Sequence, residues 1–182
     1  TNKAISVTGI DLTGTDSGNY LFNTTASTTA DITPFALTIA AAGANRDYNA
    51  TTDATVTLSD NHFDGDDLTT AYTNAAFTNK NVGTGKTINV TGISIGGNDA
   101  GNYTYDTSVN ATANISKFTL TIGATGNDRA YNSTTDAAVT TSDNRFAGDV
   151  FTTNYVAEFD DKNVGTNKAI SVTGIDLTGT DS

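Results

Sequence analysis

The chain reads as all-β. Its apolar residues alternate instead of recurring at three and four, and β-branched Thr, Val and Ile dominate the periodic stretches, which is the pattern of half-buried strands. The third observation is repetition. Thr1 to Ser17 reads TNKAISVTGIDLTGTDS, Thr166 to Ser182 reads the same seventeen letters, and Thr84 to Asp99 carries a similar stretch, so copies recur every 82 to 83 residues. A period this long belongs to strung globular domains, since solenoid repeats run to about 20–50 residues. The alignment extends along the chain: Phe35-Ala-Leu-Thr-Ile39 returns as Phe118-Thr-Leu-Thr-Ile122, and Arg46-Asp-Tyr-Asn-Ala-Thr-Thr52 as Arg129-Ala-Tyr-Asn-Ser-Thr-Thr135. Between Tyr72 and Phe77 the second copy is one residue shorter. Three segments follow: 1–34, the closing part of a preceding repeat; 35–117, a complete repeat; and 118–182, a repeat without its closing hairpin.

Within one repeat the elements are expected in order. Phe35, Leu37 and Ile39 alternate in a first strand, and Ala54, Val56 and Leu58 in a second. A turn-rich loop, Asn61 to Asp67, precedes a third over about Leu68 to Phe77. In Thr87 to Ile95 the apolar positions are 88 and 90, then 93 and 95, so the phase slips by one at Gly92; a bulge or a crossing between sheets is required there. Asp99-Ala-Gly-Asn-Tyr103, and earlier Asp16-Ser-Gly-Asn-Tyr20, have the form of a tyrosine corner, in which Asp16, Gly18, Tyr20, Asp99, Gly101 and Tyr103 are structural residues and the phenol bonds back to backbone. Tyr103 to Asp106 and Ala111 to Ile115 then read as a closing hairpin. Some seven short strands in about 83 residues suggest a tandem immunoglobulin-like β-sandwich. A β-grasp-like repeat with one short helix is the competing architecture.

Composition narrows the function. Nine Lys and Arg against 20 Asp and Glu give a net charge of −11, which disfavours binding to nucleic acid phosphates or an anionic membrane. There is no apolar run near 18 residues, so no membrane insertion is expected of this segment. The chain has no Cys, which suits either a cytosolic protein or an exported bacterial chain that avoids stray disulfides, and the repeats favour export. The two-residue junctions at Ile32-Thr-Pro-Phe35 and Ile115-Ser-Lys-Phe118 restrict hinge motion and suggest an extended rod.

Catalysis has little to work with. The one His, His62, faces Arg145 in the aligned copy, and the one Glu, Glu158, faces Ala76, so no enzyme is expected. Asp60, Asp64, Asp66 and Asp67 cluster hard oxygen ligands that suit Ca²⁺, yet the copy keeps only Asp143 and Asp149. No cofactor is therefore expected, calcium being the weak candidate. Seven Asn-x-Ser/Thr sequons matter only where the source glycosylates them.

Tyr48-Asn-Ala-Thr-Thr52, Lys80-Asn-Val-Gly-Thr-Gly-Lys86, Val90-Thr-Gly-Ile93 and Asp99-Ala-Gly-Asn-Tyr103 occur in that order. In them the repeat resembles the YDG-type domains, often beside MBG-type repeats, of large bacterial adhesins and filamentous-haemagglutinin-like exoproteins. The Tyr-Asp-Gly signature reads Tyr-Asn-Ala at 48–50 and Tyr-Asn-Ser at 131–133. The resemblance implies a non-catalytic stalk or filament module, extracellular or at the cell surface, with no catalytic residues to carry over. Its expected partners are neighbouring repeats of the same chain or other copies of itself, assembling head to tail or by strand complementation. The alternative is a glycan- or calcium-binding surface module.

Overall fold

The computed structural model describes residues 1–179; the last three letters of the repeated terminal stretch, and so the end of the 118–182 segment, lie outside the described residues. The fold is all-β. In chain order the strands are β1 (Lys3–Thr8), β2 (Thr25–Ala30), β3 (Phe35–Ala36), β4 (Ile39–Gly43), β5 (Arg46–Asp47), β6 (Val56–Asp60), β7 (Thr69–Ala71) and β8 (Asn74–Phe77). They continue as β9 (Gly83–Thr91), β10 (Ser94–Gly96), β11 (Tyr103–Thr104), β12 (Ser108–Ser116), β13 (Ile122–Gly126), β14 (Val139–Asp143), β15 (Thr152–Phe159) and β16 (Ile170–Thr178). Helix is confined, among the described residues, to two single 3-10 turns, Ser17–Asn19 and Ala100–Asn102.

The chain divides into two compact units. The first comprises Thr1–Ala41, Thr57–Asn74 and Val90–Asn110. In it β1 and β2 form an antiparallel pair in which Lys3 faces Ala30 and Thr8 faces Thr25, both strands exposed throughout. β3 runs parallel to β11 with Phe35 opposite Tyr103, and β7 is antiparallel to β10. Leu37, Val90, Ile93 and Tyr103 are its buried apolar residues.

The second unit comprises Ala42–Val56, Ala75–Asn89 and the chain from Ala111 onward. Here β5, the Ala111–Ser116 part of β12, the Gly83–Asn89 part of β9 and the Ala75–Phe77 part of β8 lie side by side in that order. β5 is parallel to β12, Arg46 opposite Ile115. Strict alternation in β12 buries Ala111, Ala113 and Ile115, and Ile88 and Phe77 are buried in the same unit. Gly43 fits tightly there, since a Cβ on it would lie 2.7 Å from both Ile88 Cδ1 and the Thr112 carbonyl. Two antiparallel pairs, β13 with β14 and β15 with β16, complete the unit.

Several expected elements differ in detail. The stretch from Phe35 to Ile39 is two strands, because the Leu37 amide bonds Thr104 O at 2.7 Å and the Thr38 amide bonds Asn61 Oδ1 at 2.7 Å. The strand expected from Ala54 begins at Val56, while the Ala54 amide bonds Ala75 O at 3.0 Å. The closing hairpin is a correction. β11 and β12 do not pair with each other: β11 joins β3, and β12 lies between β5 and β9. Parallel pairing over so long a separation leaves no turn signal in the sequence.

The phase slip at Gly92 has a definite form. β9 ends at Thr91, Gly92 takes φ +66°, and the chain resumes as β10 with a different partner strand. Opposite it, the expected third strand breaks between β7 and β8, where Thr73 donates to Thr91 O through both its amide and its hydroxyl, each at 3.3 Å. Thr73 is the residue that the second copy lacks. There β15 and β16 run unbroken, with Gly174 at φ +62° and a register shift between Asn154 and Val156. A Cβ on Gly92 would fall 1.9 Å from Thr73 Oγ1, whereas one on Gly174 would meet nothing within 4 Å.

Gly174→Ala is therefore expected to cost about 1 kcal/mol for the left-handed backbone alone, and Gly92→Ala about 2–4 kcal/mol because the clash adds to it. Urea unfolding of the two variants checks this; equal losses contradict the assignment.

Candidate functional site

The signature loop is built twice from the same contacts. Arg46 Nη1 donates to Asn49 Oδ1 and to Asp47 O, Nη2 donates to Thr51 O at 2.6 Å, and the guanidinium carbon stands 5.1 Å from the Phe77 ring centroid. Asn49 Oδ1 also accepts from the amide and hydroxyl of Thr51, both at 3.1 Å. Arg129, Asn132, Thr134 and Phe159 repeat the arrangement, again with 5.1 Å from guanidinium to ring. The turn forces Ala50 to φ +64° and Ser133 to φ +62°. These are the places where the signature has Gly, the residue that takes this conformation without steric cost. Asn in place of Asp keeps the oxygen acceptor that organises the turn.

This loop presents Tyr48. The Tyr48 amide bonds Ser116 O at 2.9 Å, and its phenol donates to Asp149 Oδ1 at 2.6 Å across 101 residues of sequence. Lys80 Nζ donates to the same oxygen at 2.7 Å and sits 5.6 Å from the Tyr48 ring centroid. The Asp149 side chain is 6% exposed and that of Lys80 31%. Burial, then the bond to Asp149, raises the Tyr48 pKa, so the phenol stays protonated as a donor. Phe146 meets Tyr48 edge-on at 5.9 Å and stacks obliquely on Phe118 at 4.8 Å. A cavity of about 380 Å³ lies beside them, lined in part by Val82, Leu120 and Phe151.

The same acceptor position in the first repeat is Asp66, 83 residues earlier. It accepts from the Tyr103 phenol at 2.5 Å, and that phenol oxygen accepts from the Phe63 amide at 3.1 Å. Phe35 and Phe63 reproduce the oblique 4.8 Å stack, and Phe35 meets Tyr103 edge-on at 6.1 Å. Asp99 precedes the 3-10 turn before Tyr103 and Gly101 is its middle residue, and Asp99 Oδ2 accepts the Asp67 amide at 2.8 Å. Asp16 and Gly18 form the matching turn before Tyr20, which is 67% exposed where Tyr103 is 6% exposed.

The acidic loop is divided among separate partners. Asp60 pairs with the His62 ring at 2.5 Å, Asp66 with Tyr103, and Asp67 Oδ2 accepts from Asn98 Nδ2 at 2.8 Å, while Asp64 is exposed. Among the described residues no three His, Asp or Glu side chains come together to hold a metal ion. Where His62 stands in the first repeat, Arg145 in the second grips Asp143 through Nε at 2.8 Å and Nη2 at 2.5 Å, and its guanidinium carbon lies 3.7 Å from the Phe151 centroid. The hydrogen bond from Arg145 pulls the Asp143 carboxyl down to about 2.

Sequence reasoning met Tyr48, Lys80 and Phe118 only inside repeated motifs and Asp149 only as a retained acidic residue, and did not bring any of them together with one another or with Phe146. The available signal was recurrence, since Tyr48 and Lys80 return as Tyr131 and Lys162, and Asp66 returns as Asp149. What these features define is an all-β tandem-repeat protein in which one repeat anchors to the next through a buried carboxylate. The YDG domain family matches the chain over residues 33–113 and again over 115–182, and the chain belongs to that family. No curated protein and no solved structure matches it.

Ala50→Gly and Ser133→Gly are each expected to raise stability by about 0.5–1 kcal/mol, relief of the left-handed strain outweighing the entropy of glycine; thermal melts check this. Acid has a defined effect. Because the Asp143 pKa is lowered on folding, the stability contributed by its pair with Arg145 is intact above about pH 4 and lost as pH falls toward 2. Asp143→Asn, measured by urea unfolding at pH 7 and pH 2.5, is expected to narrow the difference between the two.

Proposed function

We propose that the chain is a non-catalytic structural module of a secreted or cell-surface bacterial adhesin, serving as stalk or filament. The observation that carries this reading is the shared acceptor Asp149 Oδ1, which ties Tyr48 and Lys80 of the first YDG match to the second. The connection is also short. β12 ends at Ser116, whose carbonyl accepts the Tyr48 amide and whose hydroxyl donates to Asp47 Oδ1 at 2.7 Å, and Phe118 is already in the aromatic stack. A repeat held this way transmits tension through side chains as well as through backbone. The absence of cysteine and the net charge of −11 suit export to an oxidising, cation-rich exterior.

Each repeat is read as an immunoglobulin-like sandwich. Supporting this are the short antiparallel strands, the Asp-x-Gly-x-Tyr corner with its phenol bound to a loop, and the parallel pairing of the closing strand β12 with the early strand β5. The partners are neighbouring repeats and other copies of the chain.

The test has two arms. On a glycan array and in a calcium titration the protein is expected to show no saturable binding; a saturable sugar or Ca²⁺ response overturns the stalk reading in favour of a binding module. Asp149→Ala is expected to cost about 1–3 kcal/mol, since it strands both donors, and to separate the unfolding of the two repeats into distinct transitions.

A further inference from the structure

We propose that Lys80 and Asp149 condense into an amide with loss of one water, the Tyr48 phenol acting as general acid, so that the first YDG match is joined covalently to the second. The proposal deepens the reading of the chain as a structural module and rests on it.

The reacting atoms are already together. Lys80 Nζ stands 2.7 Å from Asp149 Oδ1, and Cγ lies one bond beyond, so the amine starts within about 4 Å of the carbon it attacks, close to a near-attack separation of about 3–3.5 Å. Both partners are held in place. Lys80 sits between β8 and β9 with its ammonium 5.6 Å from the Tyr48 ring centroid, and Asp149 sits between β14 and β15 with its amide bonded to Phe146 O at 3.2 Å. The Asp149 side chain is nearly withdrawn from water, beside Tyr48 and the stacked rings of Phe118 and Phe146. In such a site the ion pair has lost most of its solvation, so the neutral amine and acid lie close to it in energy and a proton passes from Nζ to the carboxyl.

The step balances with no co-reactant. The neutral Nζ attacks Cγ and the N–C bond forms. The Tyr48 phenol, 2.6 Å from Oδ1 and held in its protonated form, gives its proton to that oxygen as the C–O bond breaks and the carbonyl to Oδ2 is restored. Oδ1 departs as water, and the proton shed by the amide nitrogen returns to the phenolate. Solvation separates this pair from another lysine–carboxylate contact. Lys168 meets Asp160 and Asp161 at 3.0 and 2.6 Å, but these side chains are 55% and 50% exposed, so water keeps both ions charged. The bond is expected between residues 80 and 149.

Mass spectrometry of the purified, folded chain reads the bond directly. The unaltered chain is expected to weigh about 18 Da less than its sequence, the mass of one water. Trypsin does not cut at an acylated lysine, so digestion is expected to yield a branched peptide in which residues 47–86 are joined to residues 146–162. Lys80→Arg keeps the positive charge but has no amine able to condense, and it is expected to show the full mass of its own sequence. Tyr48→Phe is expected to be recovered mainly open and to close on standing, because a positioned general acid contributes about 100-fold or more in rate. An unaltered chain of full sequence mass would overturn the proposal. So would a loss of water that persists in Lys80→Arg, as a succinimide at Asp64-Gly65 would give, or a Tyr48→Phe variant closed as completely as the unaltered chain. An open pair leaves the stalk reading standing, because that reading fails on saturable ligand binding.

Discussion

One carboxylate oxygen carries the connection between the repeats. Asp149 Oδ1 accepts from both the Tyr48 phenol and the Lys80 ammonium, and its side chain is nearly withdrawn from water. A buried charge with a single imperfect partner is costly, so the site is stable only with both donors and with the aromatic wall of Phe118 and Phe146 closing it. Everything that places those donors is then under constraint. Tyr48 is fixed by the Arg46-organised turn and by β12, and Lys80 by the end of the hairpin whose strands make the four-stranded sheet.

The two copies show which parts of the design are rigid and which drift. The Arg–Asn–Thr turn over a Phe ring is the same in both, down to the centroid distance and a left-handed residue that is not glycine. Both copies also leave the arginine Nε buried without a partner. The loop after β6 and its counterpart after β14 diverge, one closing on an Asp60–His62 pair and the other on a forked Asp143–Arg145 pair stacked over Phe151. What is retained is the turn that presents the signature tyrosine; what varies includes Arg145 and Phe151, which line the cavity beside Tyr48 and Asp149.

Much of the fold was legible in the letters. The alternation at 88 and 90 predicted the buried face of β9, and the phase slip at Gly92 located a change of strand partner, because a period of two cannot be shifted by one without moving the buried face. The missing residue opposite it was visible as the shorter second copy. The pairing of β11 with β3, and of β12 with β5, was not legible, since parallel contacts across some 70 residues are decided by tertiary packing and carry no turn chemistry. The Tyr48–Asp149 bond escaped for a related reason. Its members are ordinary loop residues whose role exists only when two repeats meet, and recurrence at a period of 83 marks them without saying what they touch.

The same four letters, Ile-Ser-Val-Thr, stand in two settings: as Ile5–Thr8 they face β2, and as Ile170–Thr173 they face β15. Identical side chains thus accept unlike partners, Thr28 to Thr25 in one place and Phe159 to Val156 in the other. What selects the partner is the connection, since a strand joined through residues 9–24 holds β2 at a high effective concentration that a detached strand would lack. Strand letters supply the capacity to pair, and chain connectivity supplies the choice.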